Sequence, residues 1–415
     1  MSQQHIPVNP RCYKDALQQF DQTFTYHEHI NLQFSQQDSY KICEKLGYGK
    51  YSDVFKGFKD DSDEPIVIKV LKPVKYVKVY REVKILTNLL GGPHIMALKD
   101  MTKVKNSDYP AFITEFSGAS LQSLLTQYAL SSSMLRLFMG QLFLALDYCH
   151  QHGIIHRDVK GGNICANLDT RRLTLLDFGL AEFYSGKALH HRVATRHYKS
   201  PELLVNYQLY DYSLDIWSAA TMLAGYIFKI QPFFRGSDNN NQLDKIVEVL
   251  GSENLFKMCE KYNVDIGTTR KRQLSNFKER QLEEFVNDEN QSLADQEVVQ
   301  LLKACLQYDP ESRPTAKECL QFPYFKSILK ELADIQIQQF LEIEKIIQDN
   351  FVNVPDCILM SVKSQNNNWP IPISPNEILG QNIFDQDRWT TGWQKWQAGL
   401  CEKGSIQLNQ QQTGE

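Results

Sequence analysis

The sequence predicts an α+β fold with two lobes, a small β-rich lobe followed by a larger α-helical lobe. Between residues 40 and 115, short β-branched runs such as Pro65–Leu71 alternate with glycines around one charged helical stretch, which is typical of a small sheet with one helix. From residue 120 to about residue 326, apolar side chains recur at helical spacing. Residues 117–120, Ser-Gly-Ala-Ser, are typical of a connector, so we predict one hinge between the lobes.

Two further segments flank the predicted lobes of residues 39–119 and 120–326. Residues 1–38 are rich in Gln and carry scattered aromatic side chains, which predicts an arm that packs onto another part of the chain. Residues 327–415 form a C-terminal extension, in which the apolar spacing over 328–347 predicts an amphipathic helix. Four of the five tryptophans lie near its end, a density unlike that of a disordered tail. We expect this tryptophan cluster to dock on the helical lobe, with binding of a partner as the alternative.

The composition argues against several classes of protein. Among 415 residues, 45 Lys and Arg oppose 49 Asp and Glu, a net charge of −4, so we expect no nucleic-acid partner. The longest uncharged apolar stretch, residues 216–228, is too short to span a bilayer, and we expect no membrane contact. The polar N-terminus lacks the apolar core of a secretory signal. Nine scattered cysteines without a Cys-x-x-Cys pair predict reduced thiols in a cytoplasmic or nuclear protein.

Five sequence features in a fixed order carry the predicted chemistry. Residues 46–54, Leu-Gly-Tyr-Gly-Lys-Tyr-Ser-Asp-Val, hold two glycines that let the backbone of a hairpin close over phosphates. Lys69 follows in a β-branched run, and Glu82, thirteen residues on, lies in a stretch suited to a helix that pairs with Lys69. The last two features are His-Arg-Asp-Val-Lys-Gly-Gly-Asn at 156–163 and Asp-Phe-Gly at 177–179.

In this order, the five features resemble the signature of the eukaryotic protein kinases. The resemblance implies the two-lobed protein kinase fold and transfer of the ATP γ-phosphoryl group, with Mg²⁺, to a protein hydroxyl. The implied catalytic residues are Asp158, as acceptor of the hydroxyl proton, with Lys160, Lys69 and Glu82. The implied Mg²⁺ ligands are Asn163 and Asp177. The implied nucleotide site comprises Leu46, Gly47, Tyr48, Gly49, Lys50, Tyr51, Ser52, Asp53, Val54, Lys69, Thr114, Glu115, Asn163 and Asp177.

Further matches concern the acceptor class and the scaffold. Lys160, two residues after the implied catalytic aspartate, is similar to the Ser/Thr-specific kinases rather than the tyrosine kinases. Arg313 matches the kinase arginine that pairs with Glu202. Asp215 matches the aspartate that anchors the backbone of residues 156–163. We expect both contacts to hold the catalytic segment in place.

Longer runs sharpen the resemblance, over residues 20–326, to the casein kinase II catalytic (alpha) subunit family of the CMGC group. They include Leu-Lys-Pro-Val-Lys at 71–75, Ala-Leu-Asp-Tyr-Cys-His at 145–150, Gly-Leu-Ala-Glu-Phe-Tyr at 179–184 and Tyr-Asp-Tyr-Ser-Leu-Asp at 210–215. The resemblance implies a Ser/Thr kinase that modifies sites followed by acidic residues. It also implies a partner, a dimer of regulatory (beta) subunits that forms a heterotetramer with two catalytic chains.

The same resemblance assigns basic residues that read acidic substrates. The implied cations for an acidic residue at position +1 are Arg192, Arg196 and Lys199. Guanidinium donors suit a carboxylate at that place. The implied cations for an acidic residue at +3 are Lys75, Lys78 and Arg81. Because Tyr76, Val77 and Tyr80 stand where the family has lysines, we expect a weaker preference at +3.

The hinge and the small Thr114 depart from the family, which leaves the use of GTP beside ATP open. In the family, the N-terminal arm packs on the activation segment, which here covers 177–202, and holds it active. The residues that resemble this arm are Tyr26, Glu28, His29 and Ile30. We therefore expect constitutive activity. The candidate phosphate acceptors in the segment are Tyr184, Ser185 and Thr195.

Two alternatives remain. The first is a pseudokinase that binds nucleotide and partners, which retention of the implied catalytic residues argues against. The second is an active kinase with a non-acidophilic or proline-directed preference, which the three implied +1 cations argue against. A P-loop NTPase is disfavoured because the sequence has no Gly-x-x-x-x-Gly-Lys-[Ser/Thr] motif.

Overall fold

The structure is a computed structural model that describes residues 5–28, 32, 34–35, 39–49, 51–60, 62–103, 109–349 and 369–413. It divides into two compact units. The first unit comprises Met1–Ala16, Ala119–Leu173 and Leu180–Leu332. The second unit comprises Leu17–Gly118, Thr174–Gly179 and Ala333–Glu415. Among the described residues, no helix has both the length and the apolar character needed to cross a bilayer.

The regular elements follow one another along the chain. The strands are β1 (Tyr40–Tyr48), β2 (Ser52–Lys59), β3 (Pro65–Leu71), β4 (Leu98–Lys103), β5 (Pro110–Glu115), β6 (Ala119–Ser120), β7 (Ile154–Ile155), β8 (Ile164–Asn167), β9 (Arg172–Leu175) and β10 (Glu182–Phe183). The helices are α1 (Gln22–Thr25), α2 (Tyr76–Asn88), α3 (Leu121–Gln127), α4 (Ser132–Gln151), α5 (Pro201–Leu204), α6 (Ser213–Ile227), α7 (Asn239–Leu250), α8 (Glu253–Lys261), α9 (Thr268–Leu274), α10 (Gln296–Cys305), α11 (Ala316–Cys319), α12 (Leu329–Gln348), α13 (Pro375–Leu379) and α14 (Gln386–Thr413).

The second unit is built on an antiparallel sheet with the strand order β1-β2-β3-β5-β4. Ile66 and Ile68 of β3 pack with Ala111 and Ile113 of β5 in a buried cluster. Side chains two residues apart share one face of a strand, so Lys69 lies on the opposite face from this cluster. The sheet therefore turns its apolar residues to one side and presents Lys69 on the other.

The first unit is mainly helical. Helix α4 is capped by Ser131, whose side chain accepts a hydrogen bond from the amide of Met134, and its residues from 135 to 150 are buried. Every residue of α6 is buried as well, which explains the uncharged apolar run noted in the sequence. The short strands β7, β8, β9 and β10 correct the expectation of helix throughout residues 120–326. The pairings of β7 with β10 and of β6 with β8 join residues distant in sequence, which local apolar spacing does not reveal.

The N-terminal arm contributes to both units. In the first unit, the Tyr13 hydroxyl donates a 2.9 Å hydrogen bond to Asp147, and Arg11 donates to the backbone oxygen of Arg313 at 3.0 Å. In the second unit, Phe24 is fully buried. The predicted arm residues His29 and Ile30 lie outside the described residues. Packing of the arm on residues 177–202 remains a prediction.

The C-terminal extension belongs to the second unit from Ala333 onward. Within α12, Phe340 is fully buried, and Trp369, Trp389, Trp393 and Trp396 are all buried. We expected the tryptophans to dock on residues 120–326. The described contacts of Trp396 and Trp369 are instead with Leu90 and Phe24, which belong to the same unit as the tail. Apolar density in the sequence predicted burial, but it did not indicate the surface covered.

Candidate active site

Lys69, Glu82 and Asp177 form one cluster in the second unit. Lys69 Nζ lies 2.8 Å from Glu82 Oε1 and 2.8 Å from Asp177 Oδ1. Strand β3 holds the lysine, helix α2 holds the glutamate, and the aspartate follows β9. The pairing of Lys69 with Glu82 expected from the sequence is therefore present, and Asp177 joins it.

The cluster places two carboxylates around one ammonium group. Burial alone would lower the pKa of Lys69, but Asp177 and Glu82 together outweigh that effect and raise it above the ordinary value. Burial raises the pKa of Glu82, and Lys69 offsets only part of this rise. The negative charge of Asp177 raises it further. Lys69 is therefore held charged, and its positive charge limits the rise in the pKa of Glu82.

Gly179 leaves the space that this cluster occupies. A Cβ at this position would lie 3.3 Å from Asp177 Oδ1 and 3.3 Å from Glu82 Oε2. Phe178, between the aspartate and the glycine, is fully buried and anchors the segment. The Asp-Phe-Gly run thus combines an acidic group, an apolar anchor and a residue small enough to admit the carboxylates.

The glycine-rich segment forms the β1–β2 hairpin. The amide of Gly49 donates to the oxygen of Ser52 at 2.8 Å and closes the turn. Lys72 Nζ donates to the oxygen of Gly49 at 2.6 Å and lies 3.6 Å from the ring centroid of Tyr48. The sequence indicated Lys72 only as part of a matching run. In the structure this residue, directly after β3, contacts the turn of the hairpin. Lys50 lies outside the described residues.

The remaining implied nucleotide residues of the second unit fall on three strands and in the turn between β1 and β2. Leu46, Gly47 and Tyr48 lie on β1, and Tyr48 is 79% exposed. Tyr51 lies in the turn that follows β1. The β2 residues are Ser52, Asp53 and Val54, and Val54 pairs with Lys69 in the sheet register. Thr114 is buried near the end of β5, where Glu115 is the last residue.

The implied catalytic aspartate lies in the first unit, in a network of four hydrogen bonds. Asp158 Oδ2 accepts from Lys160 Nζ at 2.7 Å and from Asn163 Nδ2 at 2.9 Å. Asp158 Oδ1 accepts from the amide and the hydroxyl of Thr195 at 2.8 Å and 2.7 Å. The network fixes the orientation of the carboxylate before any substrate binds.

Asp215 anchors the backbone beside this network, as the resemblance implied. Its two carboxylate oxygens accept from the amides of His156 and Arg157 at 2.8 Å each, and His150 Nε2 lies 2.9 Å from Oδ2. Burial alone would raise the pKa of Asp215, but its histidine contacts and the backbone amide outweigh this and lower it. A buried carboxylate that stays charged thus holds the start of the 156–163 segment.

Thr195 was expected only as a candidate phosphate acceptor. The structure instead gives its hydroxyl two partners, since it donates to Asp158 and accepts from Lys160 Nζ at 2.8 Å. Sequence spacing gave no signal for this role, because Thr195 lies 37 residues after Asp158. A partly exposed hydroxyl engaged in this way is a positioning group for the carboxylate.

The implied substrate-reading cations are divided between the units. Arg192 and Arg196 are exposed in the first unit. Lys199 is buried there, and its burial, with Arg196 nearby, lowers its pKa. Lys75 and Lys78 are exposed at the start of α2 in the second unit. Arg81, on the same helix, is partly buried.

Arg313 and Glu202 form a buried ion pair with two parallel hydrogen bonds. Arg313 Nη1 and Nη2 lie 2.8 Å from Glu202 Oε1 and Oε2. The guanidinium also donates to the backbone oxygens of Gln307 and Tyr308. The contact implied by the kinase resemblance is therefore present, and it ties α5 to the segment before α11.

The side chains implied as Mg²⁺ ligands have chemistry that fits this ion. Asn163 donates through its amide nitrogen to the backbone oxygen and to Oδ2 of Asp158, at 2.9 Å each, and its side chain also carries a carbonyl oxygen. Asp177 is partly exposed and carries a carboxylate. Mg²⁺ prefers such oxygen ligands and takes the rest from phosphates and water.

A Lys–Glu pair beside a five-stranded sheet in one unit and an Asp–Lys–Asn network in the other are group types that phosphoryl transfer uses. The family model of the protein kinase domain matches residues 40–325. The match covers more than half of the chain, so the chain belongs to the protein kinase domain family. The predicted α+β, two-lobed kinase fold is thereby confirmed.

Proposed function

We propose that this protein kinase is Ser/Thr-specific and transfers the ATP γ-phosphoryl group to Ser or Thr followed by acidic residues, like the casein kinase II alpha subunit. The observation that carries the proposal is the network in which Lys160 Nζ lies 2.7 Å from Asp158 Oδ2 and 2.8 Å from Thr195 Oγ1. A lysine two residues after the aspartate is the feature that the sequence shares with Ser/Thr kinases.

The chemistry follows from these positions. Asp158 accepts the proton of the substrate hydroxyl as that oxygen attacks, and Lys160 beside it offsets charge on the transferring group. Lys69, held charged by Glu82 and Asp177, offers an ammonium to the nucleotide phosphates. Bound Mg²⁺, with Asn163 and Asp177 as ligands, would neutralise phosphate charge.

The preference for acidic substrates rests on Arg192, Arg196 and Lys199. The two arginines are exposed and present guanidinium groups on the segment that flanks Thr195. A guanidinium binds a carboxylate through two parallel hydrogen bonds, which suits an acidic residue just after the target hydroxyl. Arg192 and Arg196 therefore favour a strong +1 preference.

The preference at +3 is weaker in this proposal. Lys75 and Lys78 are exposed, but Tyr76, Val77 and Tyr80 occupy places where lysines would add positive charge. The proposal also includes constitutive activity, a location in the cytoplasm or nucleus, and a regulatory-subunit dimer as partner. ATP is the proposed donor, and GTP is an alternative donor to be tested beside it.

The test is phosphorylation of a peptide panel by the full chain with Mg²⁺-ATP. The peptides carry Ser with an acidic residue at +1 only, at +3 only, at both, or with Pro at +1. We expect fast turnover of the +1 acidic peptide and a small gain from +3, and Asp158→Asn should abolish both. The enzyme should be active as purified from bacteria, without prior phosphorylation.

Each other outcome selects a different function. Preference for the Pro peptide would establish a proline-directed kinase, and equal rates for all peptides would establish a non-acidophilic one. No turnover of any peptide, with nucleotide binding intact, would establish a pseudokinase. Substituting GTP for ATP in the same assay decides the donor question.

A further inference from the structure

The C-terminal extension contacts the segment that directly follows α2, the helix that carries Glu82. Trp396, on α14, is buried, and its indole Nε1 donates a 3.1 Å hydrogen bond to the backbone oxygen of Leu90. Leu90 lies two residues after Asn88, the last residue of α2, and its amide donates to the oxygen of Thr87 in the last turn of that helix. The tail therefore bonds to the turn in which α2 ends.

Gly91 makes room for this contact. Its φ is +81°, and a Cβ there would lie 2.6 Å from Trp396 Nε1 and 2.8 Å from Cε2. Both the backbone conformation and the proximity of the indole thus require glycine. The indole and the glycine are 305 residues apart in the chain and lie within one unit. The contact therefore depends on the residue type at both positions.

A second contact holds the same helix end. Asn88, the last residue of α2, donates a buried 2.8 Å hydrogen bond to the oxygen of Phe24 in the arm. The Phe24 ring meets Trp369 edge-on, at 6.0 Å between centroids. Gln397, next to Trp396 on α14, donates to the oxygen of Trp369 at 3.3 Å. Arm and tail thereby form one closed set of contacts around the end of α2.

These contacts act on a helix that must be held still. Glu82 lies six residues before Asn88, about 9 Å along the helix axis at 1.5 Å per residue. A helix is stiff over this distance, so a shift at Leu90 moves Glu82 relative to Lys69 on the sheet. The pair is separated by only 2.8 Å, and a displacement of about 1 Å would disrupt it.

We propose that Trp396 is a positioning residue for phosphoryl transfer, which fixes α2 so that Glu82 stays paired with Lys69. The inference rests on the proposed function, since it assigns the extension a role in that same reaction. The extension then serves as a built-in activating segment. The N-terminal arm supplies the second contact through Phe24.

Trp389 provides a matched control for Trp396. It lies on the same helix, is also buried, and its Nε1 donates a 3.2 Å hydrogen bond to the oxygen of Pro372. That partner belongs to the tail and not to the turn that ends α2. Trp396→Phe and Trp389→Phe therefore remove the same chemical group, but only the first releases the end of α2.

Kinetics of the full chain form the first arm of the test. We expect Trp396→Phe to lower kcat/KM roughly tenfold and Trp389→Phe to leave it within about twofold. Melting temperatures should fall by similar amounts in both. In a Glu82→Gln background, Trp396→Phe should have little further effect, because the glutamate through which it acts is already absent.

Gly91→Ala tests the contact from the other side. The added Cβ would push the indole away, and we expect a loss of kcat/KM similar to that of Trp396→Phe. Gly267→Ala is its control, because Gly267 has φ +79° and nothing within 4 Å of a built Cβ. Both glycines have a φ near +80°, but only at Gly91 does the added Cβ meet Trp396.

Hydrogen–deuterium exchange of the α2 amides forms an arm that needs no activity. Exchange should be several-fold faster in Trp396→Phe than in Trp389→Phe. Equal exchange in the two variants would overturn the proposal, as would equal losses of kcat/KM or an undiminished Trp396 effect in the Glu82→Gln background. An inactive wild-type chain would refute the proposed function, while the exchange result would still decide whether Trp396 holds α2.

Discussion

The Thr195 hydroxyl donates a 2.7 Å hydrogen bond to Asp158 Oδ1. The same hydroxyl accepts from Lys160 Nζ at 2.8 Å, so one side chain orients both the acidic and the basic group of the network. Variants at this contact and at the Lys69–Glu82–Asp177 cluster test the site one group at a time.

Removing the Thr195 hydroxyl should lower the rate of the chemical step and leave the affinity for nucleotide unchanged. Thr195→Val keeps the shape of the side chain, while Asp158 Oδ1 retains only the backbone amide as a donor. We expect kcat to fall roughly tenfold to a hundredfold, because the carboxylate loses a fixed orientation. Steady-state kinetics measure this effect. Thr195→Ser restores the hydroxyl and should recover most of kcat; failure to recover would contradict the assigned role.

Lys69→Met should remove most of the activity by leaving two carboxylates without their shared cation. Glu82 and Asp177 would then repel each other, and the pKa of Glu82, already raised by burial, should rise further. We expect kcat/KM to drop at least about a hundredfold. The control is Lys59→Met, an exposed lysine on β2. A loss of equal size in both variants would argue against a specific role for Lys69.

Breaking the Arg313–Glu202 pair should destabilise the protein strongly. Both side chains are almost fully buried, so Glu202→Gln leaves a charged guanidinium without its partner. We expect a loss of about 3–5 kcal/mol in the free energy of unfolding, measured by urea titration. Arg388→Met, which breaks a pair between a half-exposed arginine and Glu344, is the comparison and should cost less than about 1 kcal/mol.

Asp211 should give the stability a specific dependence on pH. Burial raises its pKa from 3.8 to about 6. Between these values the folded state binds more protons than the unfolded state, so the free energy of unfolding falls as pH rises through this window. Asp211→Asn should flatten the curve between about pH 4 and pH 6. Unfolding titrations at several pH values measure the difference, and parallel curves for the two proteins would contradict the assignment.

Arg196→Gln should weaken recognition of an acidic residue at +1. We expect KM for the +1 acidic peptide to rise roughly tenfold, with little change for a peptide that lacks acidic residues. Arg272→Gln removes an exposed positive charge from α9 and serves as the control. An equal rise in KM for both variants would mean that overall charge, and not a contact to the substrate, sets the preference.

The sequence allowed several long-range contacts to be predicted through resemblance. Lys69 with Glu82, Arg313 with Glu202 and Asp215 with the 156–163 backbone were all expected and are present. Each belongs to a recognised motif whose residue types have one chemical use. The role of Thr195 was missed, because a lone threonine in a loop has many uses and its spacing from Asp158 carries no signal.

The sequence by itself determined the chemistry and the class of fold of this protein. Its motifs specify the acidic, basic and amide groups, and its apolar periodicity specifies the strands and helices that hold them. Only the tertiary structure decided that Trp396 meets Leu90, 306 residues away, and that Thr195 orients Asp158. Local patterns arise from neighbours along the chain, whereas these contacts depend on how surfaces distant in sequence pack, and close packing selects one partner among many apolar surfaces.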